Sequence, residues 1–251
     1  PYQRRYELGC FDLSAELLAP EEARAILRRC RVRRFAAFLA ERIAIRKFGQ
    51  FHIPLPRLWF ARGDLCLENR FQSYVYFHAA AEVIRAEFAF RAPPPEKREI
   101  AKLIQNSDAI SLHVRFTHGL SEDGKPICTS QLIQPTHELL RAFYRKALAA
   151  ILPAAARPRV FLFSDTGTPH GLDLDGVLVT VLRRRPDDPP WQDMWLMSLC
   201  RINIVANSSY SWWAAWLNPH PQKRVYAPEQ YLPFQSKHKP KNVYPPDWIV
   251  L

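Results

Sequence analysis

Ile202-Asn203-Ile204-Val205-Ala206 leads without a break into Asn207-Ser208-Ser209, and these into Tyr210-Ser211-Trp212-Trp213-Ala214-Ala215-Trp216-Leu217. The first block is short, mostly apolar and rich in β-branched residues, which predicts a buried strand. The second offers three good helix-capping residues. The third is apolar almost throughout and long enough for two helical turns. A strand that runs straight into a capped helix is half of the repeating unit of an α/β fold with a parallel sheet.

Working outward, the same alternation continues. Ala109–Val114, Val160–Phe163 and Val177–Leu182 read as further buried strands, and Arg224-Val225-Tyr226 as a short fifth. Residues 136–152 carry Leu139, Leu140, Phe143, Ala147, Leu148 and Ile151 on one side of a helix, and Gln192 to Cys200 forms another. Strands alternating with helices predict a parallel sheet covered on both faces. The tail from Pro233 reads as irregular.

The first hundred residues look different and mainly helical. Pro20-Glu21-Glu22 opens a helix with Pro and acids in its first turn. Phe35, Phe38, Leu39, Ile43 and Ile45 suggest a second, and Gln72 to Phe90 reads as one long amphipathic helix. Pro93-Pro94-Pro95 breaks the chain, and Glu96 starts a helix ending near Asn106. The division expected is 1–106 and 107–251.

Composition narrows the classes. Among 251 residues, 48% are hydrophobic and 12% aromatic, enough for a core and too much for a disordered chain. No apolar run reaches the roughly 18 residues of a membrane helix, and no secretory leader opens the chain. The five cysteines lie at 10, 30, 66, 128 and 200, without a CxxC, which argues for reduced thiols in a cytoplasmic protein. No HExxH or paired His/carboxylate cluster suggests a metal. The net charge of +11 is concentrated at Arg28–Arg34 and Arg183–Arg185. Neither block is interleaved with aromatics, so nucleic acid is not the expected partner, and a basic nucleic-acid-binding protein stays the lesser alternative that the charge allows. The block near Arg28 is a candidate for peripheral contact with an anionic membrane.

Open parallel sheets bind ligands outside the carboxyl ends of their strands. Arg115 follows the first strand, Ser164 and Asp165 the second, and Asn207, Ser208 and Ser209 the fourth. One edge therefore collects a guanidinium, a carboxylate and hydroxyls beside a helix start, whose free N–H groups suit a phosphate. Arg115 is placed to take a further phosphate oxygen. The ordinary alternative is that Ser208 and Ser209 only cap their helix. Asp193 is either a first-turn helix acid or a two-oxygen acceptor for guanine's paired N–H donors. Trp191, Trp195, Trp212, Trp213 and Trp216 are expected to be core rather than a stacking platform.

The segment Asp193 to Asn218 closely resembles the C-terminal signature of the α-1,2-fucosyltransferases, glycosyltransferase family 11. Phe163-Ser164-Asp165 looks like that family's second motif, and Phe71-Gln72-Ser73-Tyr74 with Tyr76-Phe77 like its Phe-Gln-Ser segment. Tyr6-Glu7-Leu8 followed by Phe11 fits its amino-terminal third. Two departures stand out. The family's opening strand and its Gly-Gly-Leu-Gly-Asn-Gln loop are absent, so the chain reads as N-terminally truncated. Its His-x-Arg-Arg-Gly-Asp-Tyr motif becomes His113-Val114-Arg115-Phe116-Thr117-His118-Gly119.

The resemblance implies a GT-B architecture. Its Rossmann-like C-terminal domain would hold the nucleotide, and a partial, mainly helical N-terminal domain would lie on the acceptor side. It implies inverting transfer of L-fucose from GDP-β-L-fucose to the 2-hydroxyl of a galactose-terminated glycan, with no metal and no cofactor beyond the donor. It makes Arg115 the diphosphate ligand and, with His113, the catalytic pair. Ser164, Asp165, Asp193, Asn207, Ser208, Ser209 and Ser211 are the expected donor-binding residues. Phe116 and His118 also allow a catalytically weakened binder of GDP-sugars. For the general base, His118, Glu122 and Asp123 are the nearby candidates.

Overall fold

The computed structural model describes residues 6–15, 18–26, 73–91, 94–115, 130–164, 172, 174–183, 188–229 and 242–251, with side chains of the long helix from residue 138 onward. Among the described residues, six strands form one parallel sheet: β1 Asp108–Val114, β2 Pro158–Ser164, β3 Leu178–Leu182, β4 Ile202–Ile204, β5 Arg224–Ala227 and β6 Ile249–Val250. Helices accompany them at α1 Ala81–Glu87, α2 Arg98–Gln105, α3 Ser130–Ile151, α4 Trp191–Leu199 and α5 Ser209–Trp216. Residues 20–26 are helical as well. No helix among the described residues is long and apolar enough to cross a membrane.

The strand order is β3-β2-β1-β4-β5-β6. The chain lays down three strands in one direction, returns to the middle, and builds outward the other way. This is the order of the doubly wound nucleotide-binding sheet, and its direction reverses between β1 and β4. The strand-to-strand register there is Ile110 beside Ile202, Ser111 beside Asn203 and Leu112 beside Ile204.

Alternation along β1 builds two cores. Ile110, Leu112 and Val114 join Val160, Leu162, Ile202 and Ile204 against α3, which buries Leu140, Phe143, Tyr144, Ala147, Leu148 and Ile151. On the opposite face, Ala109, Phe161 and Phe163 pack against Ala101 and Ile104 of α2, and Leu196 and Met197 of α4. Each fully buried side chain of this size contributes roughly 2 kcal/mol. A third cluster lies around α5 and holds Trp212, Trp216, Val225, Val243 and Trp248.

The tryptophans are therefore packing residues, as expected. Phe77 stacks on Trp213 at 5.4 Å and Phe88 does so at 5.7 Å. The Arg85 guanidinium lies 4.4 Å over the Trp216 ring. Trp191 stacks on Phe90.

Three readings need correction. The helix expected over 72–90 is not continuous across the described residues 73–90. Ser73 caps a 3-10 turn at Tyr74–Tyr76, a second follows at His78–Ala80, and α1 occupies only seven residues. Two residues account for the break. The Ser73 hydroxyl accepts from the Val75 N–H, and Phe77 lies outside helical backbone space at φ −136° while packing on tryptophans. The tail is not wholly irregular, because β6 pairs with β5. Two residues after Pro245-Pro246 carry no periodic signal. Nor is the sheet covered throughout: β3 is an edge strand with Leu178 and Val181 exposed.

Candidate functional site

β1 ends at the reversal point, and Arg115 is the next residue. It is half-buried. Its Nη1 donates to the Ser208 hydroxyl at 3.4 Å, the long end of hydrogen-bond range. Arg115 thus leans across the crevice from the end of β1 toward the helix that follows β4. Ser164 ends β2 directly beside Val114 and is half-buried on the same edge. Asp165 lies outside the described residues.

The turn after β4 is tied internally. Ser208 sits in extended backbone (φ −153°, ψ 128°) and its hydroxyl accepts from the Tyr210 N–H at 3.3 Å. The Ser211 hydroxyl accepts from the Ala206 N–H at 3.1 Å and donates to the Ser208 carbonyl at 3.4 Å. Ser211 is buried, so its hydroxyl shapes the turn from inside. Ser209 is exposed at the helix start. Asn207 is half-buried, and its Oδ1 is buried without a hydrogen-bond partner. A buried unpaired acceptor costs about 1–3 kcal/mol.

His113 reaches the opposite face from Val114, 9% exposed, with its ring 5.7 Å from that of Tyr210. Its Nδ1 is buried and unpartnered. Burial, then the neighbouring Arg115 charge, pushes its pKa down to about 3. The imidazole is neutral at physiological pH. Two orphaned polar atoms, His113 Nδ1 and Asn207 Oδ1, therefore flank the Arg115–Ser208 contact in sequence.

Beneath the turn, Asn203 of β4 joins β1, α4 and the residue Asn218 that follows α5. Its Nδ2 donates to the Ser111 hydroxyl and to the Met197 carbonyl, each at 2.7 Å. Its Oδ1 accepts from Asn218 Nδ2 at 2.8 Å, and Asn218 also donates to the Cys200 carbonyl. This network is buried and its amides are matched.

Asp193 lies in the first turn of α4, half-buried. The start of α4 is held from two sides. Lys97 pairs with Asp188 at 3.0 Å, and Gln192 Nε2 donates to Glu96 at 2.8 Å. From the other side, the Tyr210 hydroxyl donates to the Pro190 carbonyl. The helix starts carrying Asp193 and Ser209 are thereby adjacent. Tyr210 was not among the sequence candidates, because an aromatic inside an apolar helix reads as core. Its position between Ser209 and Ser211, one turn from the strand end, is the signal that was available. No group of three or more His, Cys, Asp or Glu among the described residues could hold a metal ion.

Fold and site together define a doubly wound α/β unit whose reversal point brings the Arg115 guanidinium beside the N-terminus of α5. The family model described as Glycosyl transferase family 11 matches residues 182–251. The matched residues, less than half of the chain, carry both helix starts of the site. Two relatives from Escherichia coli match within the chain. The O-antigen biosynthesis glycosyltransferase WbnK is 51% identical over 47 residues, which are 19% of this chain and 16% of that protein. An alpha-1,2-colitosyltransferase is 53% identical over 40 residues, 16% of this chain and 14% of that protein. The matched stretches thus span less than one fifth of either relative.

Proposed function

We propose that this chain binds GDP-fucose at the β1–β4 reversal point and serves an inverting transfer of fucose to the 2-hydroxyl of a terminal galactoside. The observation that carries the reading is Arg115 extending from β1 to the Ser208 cap across that crevice. The chemistry asks for such an arrangement. The acceptor hydroxyl attacks the anomeric carbon as the bond to the diphosphate oxygen breaks on the opposite side. Negative charge builds on the departing diphosphate. Arg115 and the N–H groups at the start of α5 are fixed donors for that charge, each worth about 3 kcal/mol in comparable sites. Asp193 receives the guanine N–H pair, and Ser164, Asn207 and Ser209 supply polar contacts along the edge.

His113 fits a supporting role better than proton transfer. A general base works best with a pKa near the operating pH, and burial holds this imidazole well below it. As a neutral ring it takes or gives a hydrogen bond without adding charge beside Arg115. The base candidates His118, Glu122 and Asp123 lie outside the described residues. The acceptor is a galactose-terminated glycan, met on the side of residues 1–106, with the protein cytoplasmic and touching the membrane at most peripherally.

Calorimetric titration of GDP tests the site. Arg115→Ala should weaken binding by about tenfold or more, the loss of one charge-assisted contact. Equal affinity removes Arg115 from the site. Incubation with GDP-fucose and lactose tests the reaction, and binding without turnover would favour the weakened-binder reading that Phe116 and His118 suggest. The name of the colitosyl relative makes a colitose donor the informative comparison in the same assay.

A further inference from the structure

We propose that Tyr210 is a positioning residue that couples the base-reading end of the nucleotide site to its diphosphate end, an inference that rests on the donor-site reading above. Three contacts of one side chain and its backbone carry it. The Tyr210 N–H donates to the Ser208 hydroxyl that Arg115 also approaches. The Tyr210 ring lies against His113. Its hydroxyl donates to the Pro190 carbonyl, which also accepts from the Asp193 N–H at 3.2 Å and the Met194 N–H at 3.5 Å. A single rigid aromatic thus links the cap that meets phosphate to the carbonyl around which the first turn of α4 is wound.

That link matters because α4 has no side-chain cap of its own. Lys97–Asp188 and Glu96–Gln192 tie its start to the α2 side of the molecule. Neither reports where the diphosphate sits. Tyr210 does, since it shares the turn with Ser208 and Ser209. A carboxylate that accepts two parallel N–H bonds tolerates little displacement, and misplacement of about 1 Å is enough to spoil such a contact.

Tyr210→Phe is a mild test. The ring stays against His113, and the Pro190 carbonyl keeps its two backbone donors, so no buried acceptor is orphaned. The measurement is the affinity of GDP and of inosine diphosphate, which carry the same diphosphate but differ in the exocyclic amine that Asp193 would meet. The wild-type protein should prefer GDP by about tenfold, the worth of one hydrogen bond to a charged group. In Tyr210→Phe that preference should shrink toward unity, with inosine diphosphate binding unchanged within twofold. A retained preference overturns the proposal. An equal loss for both nucleotides overturns it too, because it shows only a loosened turn. Absence of any preference in the wild-type protein instead sinks the base-reading role of Asp193, and the coupling falls with it.

Discussion

The two helices that open on the crevice begin in opposite ways. α5 supplies its own start: Ser208 caps it, Ser211 locks the turn from inside, and Lys223 closes the far end by donating to the carbonyls of Ala215, Trp216 and Asn218. α4 has no such cap, and its first turn is held by Lys97, Glu96 and Tyr210, which come from elsewhere in the chain. Both starts bear residues of the proposed site. One is therefore a local property of a dozen residues, and the other exists only when three separate segments have assembled. The lesson is that a site can combine a self-determined half with a borrowed half, and the borrowed half is the easier to perturb.

The largest effect should come from the platform the two helices share. Asn203→Ala removes at once the buried bonds that tie Ser111 of β1, the Met197 carbonyl of α4 and the Asn218 amide, and should cost about 3 kcal/mol in urea unfolding. A loss below 1 kcal/mol would mean that the network does not hold the helices together.

Acid should strike at the joint between them almost as hard. The folded-state pKa of His113 is lowered from its ordinary 6.5 to about 3, so between those values the unfolded chain binds the extra proton. Stability is then lost as pH falls from 6.5 toward 3, by about 3 kcal/mol at pH 4. His113→Gln should flatten that part of the stability profile, and an unchanged slope would show that the imidazole is not buried neutral.

The borrowed half answers to Lys97→Met, which removes an ion pair from Asp188, a carboxylate with most of its side chain buried. The expected cost is about 2 kcal/mol, less than for a fully buried pair. GDP affinity should fall more than pyrophosphate affinity in this variant. If both fall alike, α4 is not an independently held half. The self-determined half answers to Ser208→Ala, a lost cap worth about 1 kcal/mol, with weaker pyrophosphate binding.

Legibility followed the same line. β1, β2, β4, α5 and the edge position of Arg115 were readable because each is specified within one short stretch. Strand runs are apolar, the cap residues are Ser and Asn, and polar residues follow strand ends. Of the motif likenesses, the one over Asp193–Asn218 lies in the stretch that the family model matches. What escaped was set by contacts distant in sequence. The break in 72–90 depends on Phe77 finding Trp213, and β6 depends on β5 offering an edge. Nothing in the sequence around Tyr210 says that its hydroxyl meets Pro190, twenty residues away.

By itself the sequence determined the elements: a strand-and-helix alternation, a capped helix start and a basic side chain at the end of a strand. Only the tertiary structure decided the strand order, and with it the reversal between β1 and β4 that makes neighbours of Arg115 and Ser208. The physical reason is range. Propensity, capping and apolar periodicity act over a few residues, whereas the pairing of parallel strands is chosen by burial on two sheet faces at once. No short stretch contains both.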